Sequence, residues 1–412
     1  MSKVVVIGAG SIGLASAYEL RRRGSDVVVL DMGNPGEGSS YGNAGWITPS
    51  ISMPLPAPGL VAQSMRWMLK RDSPLYIKPR INPAFAKWMW SFWRNCRPTT
   101  FEAGLEAFRA INKRTMQSFD DLHANGVNFE MHKSGLLFLG FNPTNLELAA
   151  RVVEDLEPHG YKKPTLMNSR ELLDLDPALG EGLTGFLVEE ERHIRPDEFN
   201  NALVEWLKEH DVEVRSGTKV TGLEKRGSTI TGVKTNNGTV DADQVLLAAG
   251  AWTGQLARRW GFNVPIEAGK GYSITYQNPE RQLQHPMDLV EARVAITPFN
   301  NALRFAGTME LSGINSRLEP VRIEAIRRGA NRILGDWSRG SNERVWVGMR
   351  PLTPDGVPAI GRVAKTDNFY VNGGHQMLGI TLAPVSGELM AMMMHDEPTY
   401  IDMTPFDPAR FS

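Results

Sequence analysis

The stretch that most constrains this 412-residue chain is its beginning. Val4-Val5-Val6-Ile7 is an apolar β-branched run and Gly8-Ala9-Gly10-Ser11-Ile12-Gly13 follows at once. Leu14 to Arg23 then repeats at helical period, and Val27-Val28-Val29-Leu30-Asp31 closes the unit. Strand, glycine turn, helix and strand in this order make a dinucleotide-binding fingerprint. Gly8 permits the tight turn, Gly10 lets backbone amides approach a pyrophosphate, and Gly13 lets the helix pack closely on the strand. The phosphates would sit at a helix N-terminus, where free N–H groups and the dipole favour an anion. Asp31 ends the second strand, where a carboxylate can accept from ribose hydroxyls. The fingerprint by itself does not separate FAD from NAD.

The charges balance, with 45 basic and 46 acidic residues. That gives no reason to expect nucleic acid or an anionic membrane as the main partner. A single cysteine, Cys96, excludes an intrachain disulfide framework and a cysteine-based metal cluster. No His, Cys, Asp or Glu group has metal-ligand spacing, so no metal is expected. The first strand opens near Lys3, which leaves no room for a secretory leader. No stretch approaches roughly eighteen uninterrupted apolar residues. The expectation is a cytoplasmic protein without a spanning segment, with peripheral contact to the inner face of the cell membrane as the alternative.

From Gly33 to Pro58 the chain is rich in Gly, Pro, Ser and Asn, a composition that favours irregular backbone. Its segment Ser39 to Trp46 offers small residues and hydroxyls suited to lying against a flat ligand. Pro83 to Arg97 carries Phe85, Trp88, Met89, Trp90, Phe92 and Trp93, read as core rather than as a membrane or partner surface. Phe101 to Asn125 reads as one long amphipathic helix stopped by Gly126. Gln244 to Thr253 repeats the strand and glycine-turn pattern of the opening element. Phe262 to about Val345 alternates like antiparallel strands followed by a helix from Arg322. Phe369 to His375 is again strand then glycine turn, and Ile380 to His395 is a helix. A helix N-terminus near Gly379-Ile380-Thr381, folded back beside the first unit, suits an isoalloxazine ring, whose N1–C2=O edge becomes anionic on reduction.

Several separated segments now carry a family likeness. They are Gly8 to Gly13, Gly42-Asn43-Ala44-Gly45 with the proline-rich run to Gly59, Lys270-Gly271-Tyr272-Ser273, and Arg304 in Leu303 to Thr308. Trp346 to Gly356 and Gly373-Gly374-His375-Gln376-Met377-Leu378-Gly379 complete the set. Through them the chain resembles the FAD-dependent D-amino-acid oxidase superfamily and, within it, the bacterial D-amino-acid dehydrogenases. The resemblance implies an α/β protein: a Rossmann-like FAD-binding domain (1–80, 190–260 and 346–412) and an inserted α+β substrate domain on an antiparallel sheet (81–189 and 261–345).

It also implies non-covalent FAD and oxidation of the Cα–N bond of a D-amino acid, or of a D-proline-type secondary amine, by hydride transfer to flavin N5. The electron acceptor would be a quinone, a dye-type acceptor or oxygen. A glycine/sarcosine-type oxidase using oxygen is the alternative, and another amine substrate a further one. Arg350 matches the family's carboxylate-binding arginine, and a guanidinium can grip a carboxylate through two parallel hydrogen bonds. Tyr272 is a candidate phenolic donor or pocket wall, and Arg304 a third candidate. Cofactor contacts are expected from Gly8, Gly10, Ser11, Ile12, Gly13, Asp31, Met32, Ser39, Ser40, Asn43, Ala44 and Gly45. Further contacts are expected from Val220, Ala249, Gly250, Trp252, Gly374, His375, Met377, Leu378, Gly379, Ile380 and Thr381. His193 and His375 are read as structural, His375 placing the last glycine turn.

Overall fold

The computed structural model describes residues 2–59, 75–335 and 342–412. The parts of the expected domains at 60–74 and 336–341 lie outside the described residues. Lys3–Ile7 pairs in parallel with Asp26–Leu30 on one side and Gln244–Leu247 on the other. Phe369–Gly373 and Glu213–Arg215 extend the sheet in parallel, and Ala359–Arg362 closes one edge antiparallel, giving six strands. Val4 and Val6 enter one core while Val5 and Ile7 enter another, so both faces of this sheet are buried. A parallel sheet covered on both faces needs such continuous apolar strands.

The helix Ser11–Arg22 leaves the first glycine turn and packs against the helix Gly379–Met394. Gly387 permits the contact, because a Cβ there would lie 2.8 Å from the Ala15 carbonyl carbon. Each Leu-sized side chain buried between these layers contributes about 1.5–3 kcal/mol. The last helix is apolar nearly all round, as burial on all sides requires.

A second, eight-stranded sheet runs in the order Asn342–Leu352, Glu267–Gln277, Ala302–Leu311, Val294–Phe299, Met287–Leu289, Leu136–Gly140, Thr184–Val188, with Leu75–Ile77 added beside Ala302–Leu311. It is antiparallel except where Met287–Leu289 meets Leu136–Gly140 and where Leu75–Ile77 pairs. The helix Pro320–Leu334 covers one face, packing Ile326 and Ile333 onto Ile274, Tyr276 and Phe305. The opposite face floors the cavity described below.

Three expectations change. Asn342–Leu352 pairs along the whole of Glu267–Gln277, so residues 346–352, allotted from sequence to the cofactor domain, lie in the second sheet. Phe101 to Asn125 is not one helix but two, Pro98–Asn112 and Thr115–Ala124. Asn112 donates back to the Phe108 carbonyl and accepts from the Thr115 hydroxyl, local bonds that compete with helix continuation. The aromatic helix Pro83–Asn95 is core on one side only: Phe85 and Trp88 are buried, whereas Trp90 and Trp93 are 59% and 49% exposed. Each pair is spaced i, i+3, so the two pairs occupy different faces. No helix among the described residues is long and apolar enough to cross a membrane.

Candidate active site

The glycine turn has the geometry that dinucleotide phosphates require. Gly8 has φ 108°, and a Cβ on Gly13 would collide with the Gly8 carbonyl. A Cβ on Gly10 would meet only the Ser40 hydroxyl, at 3.5 Å, so this backbone is open to a ligand. The Asp31 carboxylate accepts from the amides of Ala9 and Gly33, at 2.7 and 2.8 Å. It thereby ties the turn to the second strand, and each oxygen keeps a lone pair for a ribose hydroxyl.

The cavity that begins there has a volume of about 1900 Å³, beyond the ~300–1,000 Å³ of ordinary ligand pockets. All the expected cofactor contacts line it except Gly13, Gly45 and Gly374, which stand behind the wall. Gly45, at φ 81°, sits where a Cβ would strike the Ile194 carbonyl, and a Cβ on Gly374 would lie 2.5 Å from Thr353 Cγ2.

The loop after Ser40 crosses the cavity and is held from both sides. Arg304 Nη1 donates to the carbonyls of Tyr41 and Asn43, at 3.1 and 2.7 Å, and the Thr297 hydroxyl donates to the Ala44 carbonyl at 2.7 Å. From the opposite side the Thr381 hydroxyl donates to the Trp46 carbonyl and accepts from the Thr48 amide, at 2.9 and 3.2 Å. Ser39 donates to the Met349 carbonyl. The loop is therefore fixed by the second sheet and by the first turn of the last helix at once.

That helix starts at Gly379 with no side-chain cap, and Gly379, Ile380 and Thr381 line the cavity. Its free amides and dipole favour negative charge there. His375 is buried, neither ring nitrogen has a hydrogen-bond partner among the described residues, and burial pushes its pKa down to about 3, so the ring is neutral. A buried, unpartnered polar ring on the cavity wall fits a cofactor that completes its hydrogen bonding. Gln376 also lines the cavity, but its side-chain amide is engaged elsewhere: it accepts from the Leu55 amide at 3.0 Å and donates to the Gly356 carbonyl. His193 Nε2 donates to the Pro298 carbonyl, 2.9 Å away, and the ring stacks on His132.

Arg350 lies on the strand Asn342–Leu352 with its guanidinium directly over Gly271, where any Cβ would collide with it. Its one hydrogen bond among the described residues goes to the Thr308 carbonyl at 2.7 Å. Burial pulls its pKa to about 10, which leaves it cationic at neutral pH. No carboxylate of the described residues neutralises it. A cation so placed on a cavity wall invites an anionic ligand.

The other two substrate candidates have different positions. Tyr272 contributes to the cavity lining, but its side chain is buried on the far face of the second sheet with Ile274 and Tyr276, and its hydroxyl donates to Glu310 at 2.8 Å. Strand alternation explains this, since Gly271 faces the cavity and its neighbour must face away. Arg304 is buried too, but its donors are spent on loop carbonyls and on the Thr275 hydroxyl. Sequence reading did not single out Thr308, whose φ of 57° marks a bulge, or Trp346, whose ring fills the space left by Gly42 and Gly348. It also missed Asp288, which lines the cavity. The two glycines were a usable signal for Trp346, and a lone acid in the apolar run Met287 to Val290 was one for Asp288.

A parallel dinucleotide sheet, a cavity continuing onto a mainly antiparallel sheet, and between them an arginine with no carboxylate partner among the described residues fit a flavin-dependent oxidoreductase. The chain belongs to the family of FAD dependent oxidoreductases, matching it over residues 3–393. It is 31% identical over 425 residues to a D-amino acid dehydrogenase of Cereibacter sphaeroides, covering 99% of this chain and 95% of that protein. Among solved structures, glycine oxidase from Geobacillus kaustophilus superposes with TM-score 0.78 at 20% identity, covering 100% of this chain and 99% of that one. L-Proline dehydrogenase from P. horikoshii superposes with TM-score 0.75 at 21% identity, covering 100% and 97%.

Proposed function

We propose that the protein oxidises the Cα–N bond of a D-amino acid or a D-proline-type secondary amine, giving the imino acid, which water then hydrolyses. The observation that carries this reading is the cavity-facing Arg350 with no carboxylate partner among the described residues. The name of the Cereibacter relative supports the choice of substrate class. When bound, FAD supplies a two-electron acceptor.

The chain's own residues bind and orient. Arg350 holds the substrate carboxylate, and Thr308 holds Arg350 in place. With the carboxylate fixed, the amine lone pair can form the C=N bond as Cα–H leaves with its electron pair. Orientation then supplies much of the rate enhancement. No protein base is assigned: burial pushes the pKa of His375 down to about 3, which makes the ring a weak base, and it sits in the turn before the last helix. Tyr272 and Arg304 act as positioning residues, the first beneath the substrate strand and the second at the loop.

The proposal extends to non-covalent FAD and to a substrate-binding unit formed by the second sheet. The electron acceptor is a quinone, with dye-type acceptors and oxygen as alternatives. The exposed Trp90 and Trp93, with ring centroids 4.9 Å apart, suit peripheral contact with the inner face of the cell membrane. A glycine/sarcosine-type oxidase is the second reading, favoured by the superposition on glycine oxidase. A 2-oxo acid formed from a D-amino acid with a dye acceptor supports the first reading, and peroxide formed from glycine or N-methylglycine under air supports the second.

A further inference from the structure

We infer that Asp288 sets the side-chain preference, by receiving the cationic end of a basic amino acid whose carboxylate lies on Arg350. The inference rests on the amino-acid reading above and narrows it.

Asp288 lies on the strand Met287–Leu289, whose flanking Met287 and Leu289 are buried in the core beneath the helix Pro320–Leu334. Alternation turns Asp288 to the opposite face, where it lines the same cavity as Arg350. Its cross-strand neighbours there are Ala295 and Phe138. Among the described residues its carboxylate takes part in no hydrogen bond and no ion pair. Burial pushes its pKa up to about 6, an effect that Arg293 only partly offsets. Asp288 is partly exposed in the cavity, and a ligand that displaces its water must offer the carboxylate a new partner. Arg293 also lines the cavity, but its side chain is exposed, so water already satisfies it.

The spacing fits one class of ligand. The Arg350 guanidinium stands over Gly271 on Glu267–Gln277, and three strand steps separate that strand from Met287–Leu289. At about 4.8 Å per step this is about 14 Å across the sheet, and the Asp288 row meets that strand at Ser273, two residues from Gly271, so the direct separation is about 16 Å. The floor between them is paved by Gly271, Ala306 and Ala295, which leave room above the sheet. An extended lysine or arginine spans about 7 Å from carboxylate to cation. A charge-assisted contact at each end adds about 3–4 Å between group centres. A glycine-sized or acidic substrate would leave Asp288 unsatisfied or repelled.

The test uses the FAD-loaded protein and compares kcat/KM for D-lysine and D-arginine with D-norleucine and D-glutamate, running the L-enantiomers in parallel. The basic amino acids are expected to exceed norleucine by about tenfold or more, with glutamate poorest. Asp288→Asn should reduce the basic-to-norleucine ratio of kcat/KM about 10- to 100-fold while the flavin stays bound. Asp288→Glu should restore the preference and move it from lysine toward the shorter ornithine. An unchanged ratio in Asp288→Asn, or a preference for glutamate, overturns the role of Asp288 while leaving amino-acid oxidation intact. Flavin that no amino acid reduces overturns both.

Discussion

Arg350 donates from Nη1 to the carbonyl of Thr308 at 2.7 Å, and Thr308 has the left-handed φ of 57°. The pairing of Ala302–Leu311 with Glu267–Gln277 slips by one residue at that point, between Lys270 and Tyr272. A bulge of this kind re-aims a backbone group, and here it turns a carbonyl onto the side chain proposed to bind substrate. Beyond the bulge, Glu310 is anchored by Lys270 at 3.1 Å and by the Tyr272 hydroxyl. The buried polar cluster behind the sheet thus anchors the strand two residues beyond the carbonyl that holds Arg350.

Replacing Arg350 with Leu removes the cation and leaves the floor of the cavity intact. The expected result is a kcat/KM lowered about 30- to 1000-fold, the range for losing one member of a desolvated charge pair, with normal FAD content. Steady-state kinetics and the flavin-to-protein absorbance ratio check both halves. Tyr272→Phe should have a smaller effect, expressed in KM rather than in kcat.

The glycines of the first turn should fail in different ways. Gly13→Ala puts a methyl group into the Gly8 carbonyl and should lower the melting temperature of the apoprotein. Gly10→Ala meets nothing closer than the Ser40 hydroxyl at 3.5 Å, so apoprotein stability should hold while FAD affinity falls. Calorimetry on the apoproteins, paired with FAD titration, separates the two.

Arg304→Met keeps the length of the side chain and deletes the donors to Tyr41 and Asn43. Each charge-assisted bond contributes about 1.5–3 kcal/mol, so the FAD dissociation constant should rise about tenfold or more. Amide hydrogen exchange at residues 41–48 should quicken in the same variant. Unchanged exchange there would remove Arg304 from the loop-holding role.

Glu191 accepts from the Ser50 amide at 2.9 Å, and burial raises its pKa from 4.5 to about 8. Between those values the native state keeps a proton that the unfolded chain has lost, so this group's contribution to stability falls as pH rises from 4.5 to 8. Glu191→Gln removes that slope. Its melting temperature should gain on the native protein's progressively from pH 5 to pH 8, and parallel curves would show that Glu191 does not carry the proton.

Much of the cofactor side was legible because its signals are local. Gly8, Gly10 and Gly13 act within six residues, and Gly379 starts its helix where the glycine turn ends. The substrate side depends on pairing between distant strands. Whether Tyr272 faces the cavity turns on strand alternation in a sheet whose order the sequence does not spell out, and a one-residue slip creates the Thr308 bulge. Arg304 reads as any strand arginine until the loop 261 residues earlier is laid across it. Phe101 to Asn125 keeps an apolar stripe through its break, so periodicity alone could not divide it. The apolar alternation that hid Asp288 among Met287, Leu289 and Val290 is the same pattern that made the strand recognisable.

The most direct test is anaerobic titration of the FAD-loaded protein with D- and L-amino acids, proline analogues and N-methylglycine, following the flavin absorbance near 450 nm. One stereochemical class of α-amino acids should bleach the flavin of the native protein, and Arg350→Leu should lose that bleaching at the same concentrations. A flavin that stays oxidised with every amino acid, or bleaches equally in Arg350→Leu, would contradict the proposed function.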